Sequence, residues 1–321
     1  MTYVITGARG YIGSVMVTRL AGEGRALRLV SRAAAVPMAA ANATIEQVQA
    51  DLRDEACWRT VLDGAQAVVH LSSRTDLRAA EADPTGDDNL NVEPVRALVR
   101  AAEHRSTPLP VVFASTVTIV GCEHANPVDE QTPDRPRSVY DRHKLECETI
   151  LRNATQRGIL RACSLRLSNV YGCGGTSINA NRGVLNVMLN RALGGEPLTL
   201  FGDGGYIRDY THVDDVVDAF CRALGNPGVC DGRYYVIASG RGHSLAEAYA
   251  FIAESVLEHT GRHVDIRRIP EPPDLHEIEK RNFIGNPRLF MERTDWRPRF
   301  DLRAGIHDYL VRAVPRPVPV H

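Results

Sequence analysis

Three glycines, spaced three residues apart, follow the first apolar stretch of the chain. Residues 3–6 have the sequence Tyr-Val-Ile-Thr, which predicts a buried strand, and residues 14–20 predict a helix. Gly7, Gly10 and Gly13 lie between them. Glycines allow a tight turn and a close backbone approach, and the helix N-terminus then offers unpaired N–H groups to a pyrophosphate. Strand, glycine turn and helix in this order predict a dinucleotide-binding α/β unit.

Composition restricts the partners of the protein. The chain has 321 residues, enough for one large domain with a lobe or for two domains. Its 38 Lys and Arg residues balance 39 Asp and Glu without a basic tract, so we expect neither nucleic acid nor an anionic membrane surface as a partner. No signal peptide and no apolar stretch of about 18 residues is recognisable, and the seven cysteines lack Cys-x-x-Cys spacing. We therefore expect a cytoplasmic protein with free thiols and no membrane span.

A tyrosine and a lysine four residues apart are the first candidates for catalysis. Tyr140 and Lys144 would share one face of a helix, where residues four apart lie about 5–6 Å from each other. A nearby cation favours the phenolate, so such a phenol can exchange a proton with a substrate oxygen at neutral pH. Lys144 and Lys280 are the only lysines among 321 residues. A chance Tyr-x-x-x-Lys pair with one of the ten tyrosines is therefore expected only about 0.06 times.

The end of the second predicted strand, at residues 26–30, indicates the kind of dinucleotide. A cofactor without a 2′-phosphate usually meets an acidic residue there, which accepts a hydrogen bond from the ribose. This chain has Ser31 and Arg32 instead, and Arg9 lies inside the glycine turn. Because guanidinium groups bind phosphate bidentately, we predict NADP(H) rather than NAD. Two solvated surface arginines are the alternative explanation.

The glycine turn and the Tyr-x-x-x-Lys pair together resemble the extended short-chain dehydrogenase/reductase superfamily, the NAD-dependent epimerase/dehydratase family. The resemblance implies an α/β fold of Rossmann type, with a doubly wound parallel sheet and a smaller C-terminal α/β substrate-binding lobe. It implies that residues 1–170, with returning segments near 209–239, bind the cofactor. Residues 171–208 and 240–314 would form the lobe. We expect the proline-rich residues 315–321 to be a disordered tail.

The same resemblance implies the remaining catalytic and cofactor positions. Thr116 ends a predicted strand at residues 111–116 and is similar to a hydroxyl that donates to the reacting carbonyl; a threonine bonded to its own backbone is the alternative. Tyr140 and Lys144 are implied to contact the cofactor as well. Further implied cofactor contacts are Tyr11, Ile12, Asp51, Leu52, Leu71, Ser72, Ser73, Asn91, Ser115, Leu167, Asn169 and Val170.

Residues 196–215 restrict the substrate. Their sequence, EPLTLFGDGGYIRDYTHVDD, is similar to a nucleotide-sugar signature of the family. In that family the Leu–Phe strand lies against the base and an arginine binds the diphosphate, whose two linked phosphates need fixed cationic groups. The implied substrate contacts are Thr116, Asn169, Leu200, Phe201, Arg208 and Arg281.

Three aspartates in this segment raise the question of a metal. Asp209, Asp214 and Asp215 could offer carboxylate ligands, but carboxylates also favour the first turn of a helix. We predict helix capping and strand–loop bonding for them, and no metal site.

The whole pattern resembles most the TDP-4-keto-6-deoxyhexose 4-ketoreductases of antibiotic deoxysugar pathways. The resemblance implies an oxidoreductase in which NADPH delivers a hydride to C4 of a nucleotide-activated keto sugar. Tyr140 would protonate the alkoxide, Lys144 would hold the tyrosine and the nicotinamide ribose, and Thr116 would polarise the carbonyl. Sugar-nucleotide 4,6-dehydratases carry Asp-Glu after this threonine, whereas Val117 and Thr118 stand here, which argues against dehydration.

Other functions remain open at this stage. An NAD-dependent nucleotide-sugar 4-epimerase would use the same catalytic residues, and Arg32 is what argues against it. A non-catalytic NADP-binding regulator would not need the Tyr140–Lys144 pair, and a reductase of small or steroid-like ketones would not need a diphosphate site. We further expect a homodimer joined through the helix of Tyr140 and a helix from Asn91 to about residue 104, and a flexible loop at residues 74–88.

Overall fold

The computed structural model describes residues 2–32, 43–174, 183–273 and 275–313. Within these ranges the strands, in chain order, are β1 (Thr2–Thr6), β2 (Ala26–Ser31), β3 (Ile45–Gln49), β4 (Ala65–His70), β5 (Leu109–Thr116), β6 (Leu160–Leu167), β7 (Asn169–Tyr171), β8 (Leu198–Phe201), β9 (Ile207–His212), β10 (Tyr234–Ile237), β11 (Gly242–Ser244) and β12 (Ile266–Ile269).

Helices alternate with these strands over most of the chain. They are α1 (Tyr11–Gly22), α2 (Glu55–Leu62), α3 (Leu77–Ala82), α4 (Pro84–Asn91), α5 (Glu93–Ala102), α6 (Val139–Gln156), α7 (Val184–Leu193), α8 (Val213–Gly225), α9 (Leu245–Thr260), α10 (Arg288–Thr294) and α11 (Leu302–Ala313). None of these helices combines the length and the apolar composition that crossing a membrane requires.

Seven strands form one sheet in the order β10-β6-β5-β4-β1-β2-β3, and every neighbouring pair is parallel. Successive side chains of a strand point to opposite faces, so Val4 and Ile5 belong to two different hydrophobic clusters. Phe220 of α8 lies in one cluster, and Leu98 of α5 and Leu151 of α6 lie in the other. The sheet is therefore covered by helices on both faces, which confirms the predicted Rossmann-type fold.

The position of β1 determines where a ligand can bind. From β1 the chain goes to β2 and β3 on one side, and then to β4, β5 and β6 on the other. In an open parallel sheet, ligands bind beside the carboxyl ends of the strands where the strand order reverses. The crevice between the ends of β1 and β4 is thus the expected cofactor site.

Two smaller sheets lie in the second half of the chain. Strands β11, β9 and β7 form one of them, and β12 pairs with β8 to form the other. A separate hydrophobic cluster includes Leu189 of α7, Ile252 of α9 and Ile306 of α11. We retain as a proposal that residues 171–208 and 240–314 act as a substrate-binding lobe.

The prediction of a flexible loop at residues 74–88 was wrong. Helix α3 begins after Asp76, whose side chain accepts from the N–H of Ala79 at 3.0 Å. Helix α4 begins after Asp83, whose side chain accepts from the N–H of Gly86 at 2.9 Å, with Pro84 at the first helical position. Proline breaks a helix interior but suits a first position after an aspartate cap, so Asp83 and Pro84 start a helix here.

Other boundaries also differ from the sequence-based prediction. Asn91 ends α4 rather than starting a long helix, because Glu93 begins α5 and Pro94 lies in its first turn. The predicted tail at residues 315–321 lies outside the described residues.

Replacing Gly13 with Ala tests the glycine turn. A Cβ at Gly13 would lie 2.1 Å from the backbone oxygen of Gly7, so we expect the free energy of unfolding to fall by about 2–3 kcal/mol and dinucleotide binding to be lost. Gly22→Ala in the same helix is the control, since a Cβ there has no atom within 4 Å. That change should leave binding intact and raise stability by roughly 0.5–1 kcal/mol in urea unfolding. Equal changes in stability and in dinucleotide binding for Gly13→Ala and Gly22→Ala would contradict the assignment of residues 7–13 as the dinucleotide-binding turn.

Candidate active site

Two adjoining cavities lie at the carboxyl ends of β1, β4 and β5. Their volumes are about 350 Å³ and about 340 Å³, and both are lined by Gly7, Gly10, Ser72 and Ser73. The first cavity contains the predicted catalytic residues, and the second extends past the end of β2. Together they form one elongated cleft that starts at the glycine turn and runs in two directions.

The glycine turn brings backbone atoms close together. Gly7 has φ +66°, and a Cβ on it would lie 2.8 Å from the backbone of Leu71 and Ser72. Gly10 precedes α1 and provides no side-chain cap, so the first N–H groups of the helix are not satisfied by a capping side chain. The turn therefore fits the pyrophosphate of a dinucleotide, because the helix N-terminus attracts an anion and no side chain stands in the way.

A buried Thr–His pair holds the β4 end beside this turn. The hydroxyl of Thr6 accepts from the N–H groups of Leu71 and Ser72, each at 3.2 Å, and therefore donates to Nδ1 of His70 at 2.9 Å. Burial lowers the pKa of His70 to about 3, and the charge of Lys144 adds to the shift, so the imidazole is neutral. The sequence analysis missed this pair, since both residues have the appearance of ordinary strand ends.

The predicted catalytic pair, Tyr140 and Lys144, lies on α6, whose start is fixed by a capping box. Ser138 Oγ accepts from the N–H of Asp141 at 3.0 Å, and Asp141 Oδ2 accepts from the N–H of Ser138 at 3.3 Å. Lys144 is 4% exposed and donates from Nζ to the carbonyl of Ala114 at 2.8 Å. Its Nζ lies 5.7 Å from the centre of the Tyr140 ring, which places the cation beside the phenol.

Burial lowers the pKa of Lys144 to about 8 from an ordinary value of 10.5. Nearby Cys147, Glu148 and Asp87 act in the opposite direction but do not outweigh the loss of hydration. The pKa of the ammonium is thus close to neutral pH, and the group lies in a site with little water. A cation in such a site interacts strongly with any phenolate beside it.

Most of the predicted site residues line the two cavities. In the first these are Gly7, Gly10, Tyr11, Ile12, Gly13, Leu71, Ser72, Ser73, Ser115, Thr116, Tyr140, Lys144, Leu167 and Val170. In the second they include Arg9, Ser31, Arg32, Asp51 and Leu52. Residues that the sequence analysis did not select also line the cavities: Thr75, Ala114 and Ser168 in the first, and Val30, Ala50, Arg53, Arg74, Leu90 and Pro94 in the second.

Asn91 and Asn169 do not line either cavity. Asn91 is 3% exposed and lies behind the wall, where its Oδ1 accepts from Ser73 Oγ at 3.0 Å and from the N–H of Arg74 at 2.7 Å. It therefore positions a segment that lines the cleft. Asn169 follows Ser168 in the sequence, and its Oδ1 lies 3.4 Å from Nη2 of Arg281.

The far end of the second cavity carries more cationic than anionic groups. Among the described residues, Arg9, Arg32, Arg53 and Arg74 line it together with a single carboxylate, Asp51. The Arg53 guanidinium hydrogen-bonds Asp51 at 2.9 Å and lowers the pKa of that carboxyl to about 2, with a smaller effect from Arg32. The carboxylate is thus already neutralised by Arg53, while Arg32 is exposed at the cavity edge.

Two buried arginines lie side by side beyond the first cavity. Arg208 is 3% exposed and donates to the backbone carbonyls of Glu279 and Arg281. Arg281 is 7% exposed and donates to the carbonyl of Ile278 at 2.6 Å. Burial, with a further effect from Arg208, lowers the pKa of Arg281 to about 10.

The two arginines are suited to binding an anion. Within the described ranges neither forms an ion pair with a carboxylate, and Nε of Arg281 is buried without a hydrogen-bond partner. Buried cations are unfavourable unless paired, so a ligand carrying two negative charges would be stabilised here.

The two residues predicted to contact the base, Leu200 and Phe201 of β8, differ in the exposure of their side chains. The side chain of Leu200 is 1% exposed and belongs to the cluster around α7, α9 and α11. Phe201 is 38% exposed at the end of β8. Phe201 offers an accessible side chain to a base, whereas the side chain of Leu200 is buried. The predicted contact of Leu200 stays a prediction and would use its backbone.

The aspartates of residues 196–215 form hydrogen bonds and ion pairs that stabilise the fold. Asp209 accepts from the N–H groups of Ser239 at 2.8 Å and Gly240 at 2.9 Å, and Asp215 accepts from the N–H of Arg299 at 2.9 Å. His212, Asp214 and Asp308 bring ligand atoms within 4.8 Å of one another. Arg312 contacts Asp214 at 2.5 Å and Asp308 at 3.0 Å, so a cation already compensates both carboxylates.

The buried charge of Lys144 predicts a pH-dependent stability of the cofactor-free protein. Its pKa is 10.5 when unfolded and about 8 when folded, so the unfolded chain binds more protons between these pH values. The free energy of unfolding should therefore rise with pH in this window, by up to about 1.4 kcal/mol per unit. Lys144→Met removes this dependence. In urea unfolding, the free energy of unfolding of the wild type should therefore rise relative to that of the variant between pH 8 and 10.5.

Lys280→Met is the matched control for that measurement. The Lys280 side chain is 46% exposed and pairs with Glu271 at 3.3 Å, so its charge stays hydrated. Its removal should leave the slope unchanged. Parallel pH profiles for Lys144→Met and the wild type would show that the ammonium is not desolvated.

Comparison with known proteins places this cleft in a family. A UDP-glucose 4-epimerase of Mycolicibacterium smegmatis is 29% identical over 316 residues, which cover 95% of this chain and 96% of that protein. A dTDP-glucose 4,6-dehydratase of the same organism is 26% identical and covers 96% and 92% of the two chains.

Solved structures agree with these relatives. The UDP-glucose 4-epimerase of Thermotoga maritima with UDP-glucose superposes with a TM-score of 0.83 at 25% identity, covering 97% of each chain. The UDP-glucose 4-epimerase of Thermus thermophilus in complex with NAD has a TM-score of 0.79 at 27% identity, covering 97% of this chain and 98% of that one. Residues 3–238 match the NAD dependent epimerase/dehydratase family. The chain therefore belongs to this family of nucleotide-sugar enzymes.

Proposed function

We propose that the protein is an NAD-dependent 4-epimerase of a nucleotide-activated sugar. One observation carries the proposal: Arg281, which accepts a hydrogen bond from Arg208 at its backbone carbonyl, donates to Oδ1 of Asn169 at 3.4 Å. Asn169 lies between Ser168 and Val170, which line the cavity of Tyr140 and Lys144. A diphosphate bound to the arginines would therefore hold a sugar at the mouth of that cavity. Binding energy at the diphosphate can then position the reacting carbon, as in other enzymes that use remote contacts.

The residues of the cleft have distinct parts in this reaction. A nicotinamide dinucleotide held at the glycine turn would supply the hydride acceptor and donor that inversion at C4 requires. Tyr140 takes the proton of the C4 hydroxyl and gives it back, and Lys144 stabilises the phenolate. Gly7 and the start of α1 hold the pyrophosphate. Arg208 and Arg281 keep the nucleotide fixed while the sugar presents its second face.

Epimerisation is supported over dehydration by the residues after Thr116. Val117 is 2% exposed and carries no titratable group, and the hydroxyl of Thr118 donates to Asp141. Neither side chain can protonate a leaving hydroxyl as the Asp-Glu pair of the dehydratases is expected to do. The sequence similarity to a dTDP-glucose 4,6-dehydratase therefore does not imply dehydration by this protein.

We also prefer epimerisation to ketoreduction, which the sequence analysis favoured, because of the relatives that this chain resembles. Both reactions use Thr116, Tyr140 and Lys144, so these residues do not separate them. The relatives and solved structures named above include UDP-glucose 4-epimerases of three bacteria, and their matches cover 95% or 97% of this chain. UDP-glucose is accordingly the first substrate to assay, and a homodimer remains part of the proposal.

The assay requires no added cofactor if the dinucleotide stays bound. UDP-glucose incubated with the purified protein should give its C4 epimer, detected by anion-exchange chromatography or NMR. Tyr140→Phe should lower the rate by at least about 100-fold, because general acid–base catalysis contributes about 10²–10⁴-fold. It should leave dinucleotide affinity within about twofold. An active Tyr140→Phe variant would refute the catalytic assignment.

NADPH-dependent 4-ketoreduction is the second candidate, and Arg32 is the observation that favours it. Arg32 stands at the edge of the second cavity, where the 2′-phosphate of NADP would meet a guanidinium instead of an acidic residue. Consumption of NADPH with a nucleotide 4-keto-6-deoxy sugar, without isomer interconversion of UDP-glucose, would favour this candidate over the epimerase.

Arg32→Ala measures the contribution of this side chain to cofactor choice. We expect roughly tenfold weaker binding of NADP(H), since a charge-assisted hydrogen bond contributes about 1.5–3 kcal/mol and exposure reduces it. Binding of NAD(H), which lacks the phosphate, should change by less than about twofold. Calorimetric titration of both dinucleotides checks this, and an equal loss for both would show that Arg32 does not recognise the phosphate.

A further inference from the structure

Arg74 lines the second cavity close to the glycine turn. The two serines before it, Ser72 and Ser73, line both cavities, whereas Arg74 lines only the second of the two. These serines therefore mark the junction of the cavities, where a Cβ on Gly7 would lie 2.8 Å from the N atom of Ser72. A bound dinucleotide would have its pyrophosphate at this junction and its adenosine in the second cavity, which extends past the end of β2.

Hydrogen bonds hold both the backbone and the guanidinium of Arg74. Its N–H donates to Asn91 Oδ1 at 2.7 Å, and its carbonyl accepts from Asn91 Nδ2 at 3.0 Å. In the side chain, Nε donates to Asp87 Oδ1 at 3.1 Å and Nη2 donates to the carbonyl of Asp83 at 3.3 Å. An arginine has five N–H donors, so within the described ranges three of them are left for a ligand.

The carboxylate partner of Arg74 lies behind the cavity wall. Asp87 is 0% exposed, lines neither cavity, and lies 2.7 Å from Nδ1 of His143 in α6. The Arg74 side chain, in contrast, is 26% exposed. The ion pair thus presents its positive end to the cleft, where an anion would meet the guanidinium without meeting the carboxylate. Charge-assisted hydrogen bonds from arginine to phosphate are stronger than neutral ones.

The position of Arg74 favours one phosphate of the dinucleotide over another. Arg74 follows β4 and Arg32 follows β2, and β1 lies between these two strands. Neighbouring strands are about 4.8 Å apart, so the ends of β2 and β4 are roughly 10 Å from each other. A 2′-phosphate is expected at the β2 end. Two residues span at most about 7 Å, so Arg74 is closer to the glycine turn, through Ser72, than to that end.

We propose that Arg74 binds the adenosine-side phosphate of the dinucleotide pyrophosphate. The N-terminus of α1 offers N–H groups and a partial positive charge, whereas a pyrophosphate carries two full negative charges. Arg74 supplies a full positive charge on the adenosine side of the turn. The inference goes beyond the proposed function, because every reaction considered for the sugar would use the same pyrophosphate.

The test compares ligands that differ in one phosphate. AMP and adenosine differ only in the 5′-phosphate that Arg74 would contact, and each is titrated as a competitor that displaces fluorescent NADH or NADPH. Arg74→Gln should weaken AMP binding roughly tenfold and adenosine binding by less than about twofold, because one charge-assisted hydrogen bond at a partly exposed site is lost. NAD and NADP, which share the pyrophosphate, should each bind roughly tenfold more weakly.

Two further variants separate the contact from the overall charge and from folding. Arg78→Gln removes the same charge at an exposed position that lines neither cavity, and should change no affinity by more than about twofold. The double variant Arg74→Gln/Asp87→Asn keeps the formal net charge of the wild type and leaves no buried carboxylate without its arginine. It should lose affinity for AMP as the single variant does, so the test still works if Arg74→Gln does not fold.

Equal losses for AMP and adenosine would overturn the proposal. A loss for NADP without a loss for NAD would also overturn it, since Arg74 would then bind the 2′-phosphate. Losses in Arg78→Gln as large as those in Arg74→Gln would show a general effect of charge and refute the contact. These titrations use no sugar nucleotide, so their outcome is independent of the epimerase assay. The expected losses in a protein without epimerase activity would refute the epimerase and leave the Arg74 contact in place.

Discussion

The buried ammonium of Lys144 is the interaction on which the active site depends. Its Nζ donates to the carbonyl of Ala114 in β5 and lies 4.6 Å from the centre of the Phe113 ring, so it joins α6 to the central sheet. In the described part of the chain it forms no ion pair with a carboxylate. Glu148, one turn along α6, is bound instead to Arg166 at 2.7 Å. The charge of Lys144 therefore remains available to the phenol and to a ligand.

Like Lys144, two arginines at the other end of the proposed substrate site are buried cations without a carboxylate partner in the described part of the chain. Arg208 and Arg281 are both buried, and their donors reach backbone carbonyls instead of carboxylates. The free protein thus holds two cations in an environment that penalises them, and a diphosphate would relieve that penalty. Preorganised cations of this kind bind an anion without rearranging, which suits a site that must release one face of a sugar and present the other.

The sequence was sufficient for features in which one residue type is required at one position. Glycine at residue 7 is required by a positive φ and a close backbone contact, and the Tyr140–Lys144 spacing follows from helix geometry. These features gave the sheet, the glycine turn and the catalytic pair. The parallel sheet was predictable from the strand–turn–helix order, whereas most of the cavity-lining residues were implied by the resemblance to the family.

Interactions between distant segments were not predictable in this way. The Thr6–His70 bond joins residues 64 positions apart, and the Thr118–Asp141 contact joins residues 23 apart. Nothing in the local pattern distinguishes these side chains from ordinary polar residues at strand and helix ends. The burial of Leu200 has the same origin, because β8 packs its side chain into a cluster formed by helices far away in sequence.

The central claim is that one bound dinucleotide takes a hydride from C4 and returns it to the same sugar. To test this, a mixture of UDP-glucose deuterated at C4 and unlabelled UDP-glucose is incubated with the protein, and the epimer is analysed by mass spectrometry. The account predicts that each deuterated molecule keeps its deuterium at C4 after inversion, with no exchange into water or added dinucleotide. Loss of the deuterium to an external dinucleotide pool, or the absence of any epimer, would contradict it.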